Sequence, residues 1–271
     1  MVTIAIPFYN ADSYLELAIQ SVFNQTYKNW KLLLVDDGST DNSLQIASKY
    51  KKDPRVTIYS DGKNKNLGYR LNQIPTLVDT KYLARMDADD IMHPEKVEKQ
   101  IKILESYPEI DVLGTNAYSI NEYNKVNGIR LNFDKNEILM KVSVFIHPTI
   151  IAKTEWFINN PYDVKAVRIE DAELWFRTYN KYNFQILTEP LFFYREFGNN
   201  YYQKYFKGSS SMLYVLIKHN YNLEFLKKTL KYFITGTIYF FFNLIGKEDA
   251  LIEKRNSIRL GNLSIDDVLK K

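Results

Sequence analysis

No cysteine occurs among the 271 residues, which excludes a disulfide framework, a zinc ribbon, an iron–sulfur site and a thiol nucleophile together. Histidine is scarce, and His93, His147 and His219 show no ligand spacing, so a zinc hydrolase has no support. The glycine-rich patterns of dinucleotide and P-loop phosphate sites are absent, as is the G-x-S-x-G elbow of an esterase. Neither sign of charge dominates: the net +4 is far short of what wrapping nucleic acid requires. Long hydrophobic runs are missing too. The longest uncharged stretch, Tyr232 to Gly246, has 15 residues and as a helix spans about 22 Å against a hydrocarbon core of about 30 Å.

What is present is ample apolar material, 45% hydrophobic and 15% aromatic, enough for one large domain or a domain with an appendage. No Lys or Arg precedes Lys28, so the start lacks the basic flank of a signal peptide and a cytoplasmic location is expected. Charge is uneven along the chain. Residues 200 to 271 hold 12 Lys+Arg and 6 Asp+Glu, against 24 and 26 before them, which suggests a surface-seeking tail.

Thr3 to Phe8 reads as a strand. Leu15, Ala18, Ile19, Val22 and Phe23 then recur at helical spacing, with Ser13 and Glu16 placed as a capping box. Trp30 to Val35 reads as a strand covered on both faces, followed by a helix from about Asn42 to Lys51. The alternation continues with Val56 to Tyr59, Leu67 to Val78, Tyr82 to Met86 and Pro94 to Ser106, which predicts a doubly wound parallel sheet. Beyond it, Asp111 to Ile120 and Val142 to Ile151 read as strands of a second, mixed half, Glu170 to Lys181 as a helix, and the chain from Asn200 onward as helical, aromatic and basic. A boundary falls near Gly198.

Ligands of such sheets bind beyond the carboxyl ends of the strands, here marked by Asn10, Asp36, Asp37, Asp87 and Asp89. Asp87-Ala88-Asp89 is a D-x-D, a triplet that chance supplies about once in a chain this rich in aspartate, so its place says more than its spacing. Two carboxylates ending a buried strand repel each other unless a cation lies between them and a ligand, and their oxygens suit Mg²⁺ or Mn²⁺ bridging a diphosphate. Asp90 reads equally as a helix cap. In Asp36-Asp37-Gly38-Ser39-Thr40-Asp41, turn chemistry accounts for Gly38 and Asp41, whereas Asp37 suits a base N–H or a ribose hydroxyl. Glu170-Asp171 opens a helix, where acids favour the dipole, and at a cleft edge such a carboxylate can take a proton from a hydroxyl nucleophile. His147, before Pro148, reads as cleft-facing or as a satisfied structural histidine.

The ordered set Pro7-x-Tyr9-Asn10, Asp36-Asp37-Gly38-Ser39-x-Asp41, Asn66-Leu67-Gly68, Asp87-Ala88-Asp89-Asp90, His147-Pro148 and Glu170-Asp171-x-x-Leu174-Trp175 resembles family-2 inverting glycosyltransferases with the GT-A fold, of the bacterial surface-polysaccharide type. The likeness runs from residue 2 to about 195. It implies an α/β fold with a mostly parallel central sheet flanked by helices and a helical C-terminal extension. Residues 1-198 would be the catalytic domain, with 1-110 as nucleotide-binding half and 111-198 as acceptor half, and 199-271 the extension. The implied activity is that of a hexosyl- or N-acetylhexosaminyl-transferase using Mn²⁺ or Mg²⁺.

By that resemblance Pro7, Tyr9, Asn10, Asp36, Asp37, Asn66, Gly68 and Asp87 hold the donor, with Asp37 on the uracil edge of a UDP-sugar. Asp89 binds the metal and Asp171 is the catalytic base. Relatives carry Tyr-Arg-x-His after the last core strand, closing over the diphosphate. Here the run is Tyr194-Arg195-Glu196-Phe197, so Arg195 fits the donor-binding set, Phe197 replaces the histidine, and Lys204, Lys207 or Ser209 to Ser211 stand as substitutes. The acceptor is expected to be a glycan or lipid-linked glycan. The apolar block within 227-246, beside Lys227, Lys228 and Lys231, fits either the inner face of the cell membrane or packing on the core or on a second subunit. A sugar-1-phosphate nucleotidyltransferase would share the sheet and acids but needs a Gly- and Arg-rich loop after the first strand, where Phe8-Tyr9-Asn10-Ala11 stands. A catalytically silent nucleotide-sugar-binding scaffold would be expected to have lost an acid at 37, 89 or 171, and all three are present.

Overall fold

The computed structural model describes residues 1–132, 145–196 and 200–270. Its first half is four parallel strands, β1 (Val2–Phe8), β2 (Trp30–Asp36), β3 (Val56–Ser60) and β4 (Tyr82–Arg85), in the spatial order β3-β2-β1-β4. Helices α1 (Leu15–Phe23), α2 (Ser43–Ser48) and α3 (Leu67–Gln73) return the chain between them. The continuous apolar runs arise because both sheet faces are covered. Leu32 and Leu34 pack with Ile4 and Ile6 on one face, while Leu33 and Val35 join Ala5 on the other.

The second half is mixed. After the two-residue β5 (Ile91–Met92) and helix α4 (Lys96–Ser106) come β6 (Val112–Ile120), β7 (Val126–Arg130) and β8 (Ile151–Lys153), then helices α5 (Thr154–Asn159) and α6 (Glu170–Thr178) and the long β9 (Phe184–Arg195). Antiparallel β8 bridges β4 to β6, so one ten-stranded sheet runs β10-β7-β6-β8-β4-β1-β2-β3, with β9 against β5 and β6. The tail supplies α7 (Tyr202–Lys207), α8 (Ser209–Lys218), α9 (Leu223–Leu244), α10 (Glu248–Glu253), then strand β10 (Ile258–Leu263) and α11 (Ile265–Leu269). Gly236 lets α7 approach α9 closely, since a Cβ there would lie 2.8 Å from that of Tyr205.

Several local expectations shift. Helix α1 begins at Leu15 with no side-chain cap, because Glu16 turns away from Ser13 to the Tyr50 hydroxyl and Lys49 on the turn after α2. The helix expected over Leu67 to Val78 divides at Gln73 into α3 and a 3₁₀ turn carrying Pro75. His147 to Thr149 is likewise a 3₁₀ turn, so within the described part of the strand expected over Val142 to Ile151 only Ile151, the first residue of β8, is strand, and residues 142–144 lie outside the described residues. The helical reading of the tail missed β10, which pairs antiparallel with β7. Gly198 and Phe197 lie outside the described residues.

Candidate functional site

The strands splay where β4 ends. The last β1–β4 pair is Ala5 with Arg85, and the Met86 N–H donates to the Ala5 carbonyl at 3.1 Å. Pro7, two residues further on the same edge, lacks the N–H that a continuing ladder would use. Tyr9 and Asn10 then stand exposed at the rim, with Asn10 at φ +48°. The Asn10 side-chain oxygen accepts from the Thr40 N–H at 2.8 Å and its own N–H donates to Ser39 Oγ, which ties the β1 end to the loop after β2.

Asp36, expected with the donor-binding group, is buried, and both carboxylate oxygens serve the fold. One accepts from the Ser39 N–H at 2.9 Å and the other from Ser60 Oγ at 2.7 Å. It shapes the turn that presents its neighbour. Asp37 accepts from the N–H groups of Lys65 and Asn66 at 2.8 and 3.0 Å and from Nε of Arg70 at 2.8 Å. Arg70 is fully buried and also forks onto Asp61, whose carboxylate is held well below its usual range by Arg70 and then Lys65. This network ties Asn66, at φ +70°, to the end of β2, while Gly68 faces Val164 on the segment before α6.

Asp87, Asp89 and Asp90 each place one carboxylate oxygen within 4.8 Å of the others'. The guanidinium of Arg85, the last residue of β4, forks onto Asp87 two residues beyond the strand at 3.0 and 2.5 Å. Loss of surrounding water, then the charge of Asp87, pushes Asp89 up to about 6. Asp90 is raised well above the usual carboxylate range by burial and both neighbours, and its Oδ2 is buried without a hydrogen-bond partner among the described residues. Carboxylates crowded to this degree fit a divalent cation, which relieves the repulsion that raises them.

Arg195, expected over the diphosphate, points inward instead. Its N–H donates to Asp90 Oδ1 at 2.7 Å and its guanidinium donates to the carbonyls of Asp89 and Asn121 at 2.6 and 2.7 Å and to Asn124 Oδ1 at 2.6 Å. It lies 4.2 Å from the centroid of the Tyr14 ring. Arg195 therefore clamps the Asp89 backbone to the β6–β7 turn. Arg195→Lys, which offers no planar fork, is expected to cost about 2 kcal/mol in urea unfolding; a guanidinium serving only phosphate would leave stability unchanged. Lys204 is the tail cation that acts electrostatically on Asp89.

Asp171 sits in the first turn of α6, and α6 is pinned from two sides. Leu174 and Trp175 enter the core under the sheet, with Trp175 stacked 6.2 Å from Trp156. Ala172 and Phe176 pack against α8 and α9, and the fully buried Glu173 receives Arg177, Lys218 and His219 at 3.1, 2.9 and 3.2 Å. Asp171 and Asp87 line one cleft of about 390 Å³ with Arg85, His147, Arg168, Glu170, Lys228 and Arg255 among its walls. His147 combines both of its alternatives: it lines that cleft, and its Nε2 lies 2.8 Å from the Tyr162 hydroxyl, held neutral by burial and by Arg85.

Glu170, buried beside Asp171, is pushed up to about 7 by burial and then by that neighbour's charge. Its usual value is 4.5. In the folded protein it keeps a proton that the unfolded chain releases, so its contribution to stability is present below the unfolded value and is lost as pH rises towards the folded one. Unfolding measured across that window should show the slope, and Glu170→Gln should flatten it.

Residues 3–165 match the family model described as Glycosyl transferase family 2. The chain belongs to that family. The transferase is 32% identical over 219 residues to EpsE of Bacillus subtilis (strain 168), a match spanning 77% of each chain. It is 29% identical over 188 residues to the O-antigen biosynthesis glycosyltransferase WbnJ of Escherichia coli, covering 67% of this chain and 72% of that one. Among solved structures it superposes on S. aureus TarS 1-349 in complex with UDP, with TM-score 0.60 and 18% identity over 78% of this chain and 65% of that one. It also superposes on the mannosyltransferase PcManGT of Pyrobaculum calidifontis in complex with GDP-Man and Mn²⁺, with TM-score 0.62 and 16% identity over 93% and 73%. These likenesses establish the GT-A-like fold.

Some of the transferase's cleft escaped the sequence reading. Lys228 and Arg255 come from the tail, far along the chain from Asp171. Arg85 had a signal: a guanidinium on the last residue of a buried strand needs a carboxylate, and Asp87 just beyond the strand supplies it.

Proposed function

We propose that this glycosyltransferase moves a sugar from a nucleotide-sugar, a UDP-sugar first, to a hydroxyl of a glycan or lipid-linked glycan in polysaccharide biosynthesis, with inversion. The observation that carries the reading is the single cleft holding Asp87, at the edge of the three-carboxylate cluster, together with Asp171 on a pinned helix. The names of the relative WbnJ and of the UDP complex of TarS support the pathway and the carrier.

In this reading Tyr9, Asn10 and Asp37 border the nucleoside pocket and residues 1-110 form the donor half. Asp89, with Asp87 and Asp90, would hold Mn²⁺ or Mg²⁺, which supplies positive charge against the diphosphate as it departs. Asp171 accepts the acceptor's hydroxyl proton while that oxygen forms its bond to the anomeric carbon. The bond from that carbon to the diphosphate oxygen breaks on the opposite face, so configuration inverts. Trp175 and Glu173 hold α6 still, which keeps the base in place.

A thermal-shift titration with UDP, GDP, CMP and dTDP, each with and without Mn²⁺, tests the donor side. The expected result is a shift for one nucleotide that needs the metal. No metal-dependent shift for any of them would favour the silent scaffold.

A further inference from the structure

We infer that the outer face of α9 is a seat for the interface of an anionic lipid bilayer. The helix has 22 residues and its inner side packs on the fold through Phe225, Thr229, Gly236 and Tyr239. Its outer side is as apolar as its inner side and has no cover among the described residues: Leu230 is 56% exposed, Ile234 61%, Phe241 59% and Leu244 65%. At 3.6 residues per turn, Leu223, Leu230, Ile234 and Phe241 fall within roughly 20° of one line along the helix. A helix apolar all round is normally enclosed by other elements, and this one is only half enclosed.

Charge selects the occupant. The exposed Lys227 and Lys231 stand roughly 40° and 80° from that line, inside or at the edge of the stripe, and Glu224 is the one acid on α9. A second copy pairing stripe to stripe would bury the Lys227 ammonium against aliphatic side chains at a desolvation cost, with Glu224 the one acid on each facing helix. At a membrane interface the same lysine runs its stem along the apolar surface and lifts its charge to lipid phosphates. No helix among the described residues is long and apolar enough to cross a membrane, so α9 lies on the surface rather than through it.

The seat is tied to the cleft. Lys228, about 140° around the helix from that line and so towards its inner side, lines the cleft beside Asp171, so the helix seated on the bilayer also walls the proposed transfer site. This last consequence rests on the proposed transfer reaction, whereas membrane seating itself does not.

Flotation of the full chain with phosphatidylcholine vesicles, with and without phosphatidylglycerol, tests the inference without any activity assay. The full chain is expected to float with the anionic vesicles. Leu230→Ser/Ile234→Ser/Phe241→Ser should lose at least about tenfold in partitioning, and Lys227→Gln/Lys231→Gln about tenfold or more on the anionic vesicles. Circular dichroism should show both variants folded, since the substituted side chains face solvent. Failure of the wild-type chain to float overturns the inference. So does a solution dimer that the serine variant abolishes without any vesicle binding, and so does vesicle binding that both variants retain.

Discussion

Asp171→Asn is expected to retain donor binding while transfer falls by roughly 100- to 10,000-fold, the range a positioned general base supplies. The substitution keeps size and hydrogen-bonding shape but removes the site that receives the hydroxyl proton. Since α6 is held by Glu173, Leu174 and Trp175 rather than by Asp171, the helix should stay in place. The Asp171 carboxylate accepts only from its neighbour Ala172 N–H among the hydrogen bonds of the described residues, at 2.7 Å, a local contact that asparagine can reproduce. The discriminating measurement pairs a thermal shift with nucleotide and metal against the rate of sugar transfer. Equal shifts with collapsed turnover fit a base; undiminished turnover would remove Asp171 from that role.

Asp89→Ala should act on the other side of the reaction, weakening metal-dependent donor binding and lowering turnover by roughly 100-fold or more, because charge building on the departing diphosphate loses its counterion. Asp87 alone does not replace it: both its oxygens already face Arg85. Acid should imitate the mutation in part. With Asp89 pushed up to about 6, protons compete with the cation as pH falls through that value, so the Mn²⁺ concentration giving half-maximal activity should rise on acidification. The variant should show a nucleotide thermal shift indifferent to metal, and a full metal-dependent shift in it would place the ion elsewhere.

The legible parts of the molecule were those set by neighbours in sequence or by strand alternation. Leu32 to Val35 announced a strand covered on both faces, and the structure sends alternate members into two separate cores. Asp87 was marked by its place just past a buried strand and Asp171 by the ordered motifs around it, and the structure sets both on the wall of one cleft. Arg195 was not legible, because its guanidinium is aimed by Asn121 and Asn124 on the β6–β7 turn, more than seventy residues earlier in the chain. Asp36 and Asp37 look alike as letters, and only the position of Ser60 on β3 and of Arg70 on α3 assigns one to the turn and ties the other to the loop before α3. Strand β10 gave almost no signal: it is an exposed edge with an irregular register, so neither alternation nor burial marks it.

The proposed reaction is a single displacement in which Asp171 takes the proton and the sugar changes face. Proton NMR of the transferred sugar reads it directly, through the coupling constant at the anomeric carbon's hydrogen after reaction with an α-linked nucleotide-sugar. A β-linked product is the predicted result. An α-linked product would contradict the assignment of Asp171 as base in a one-step transfer.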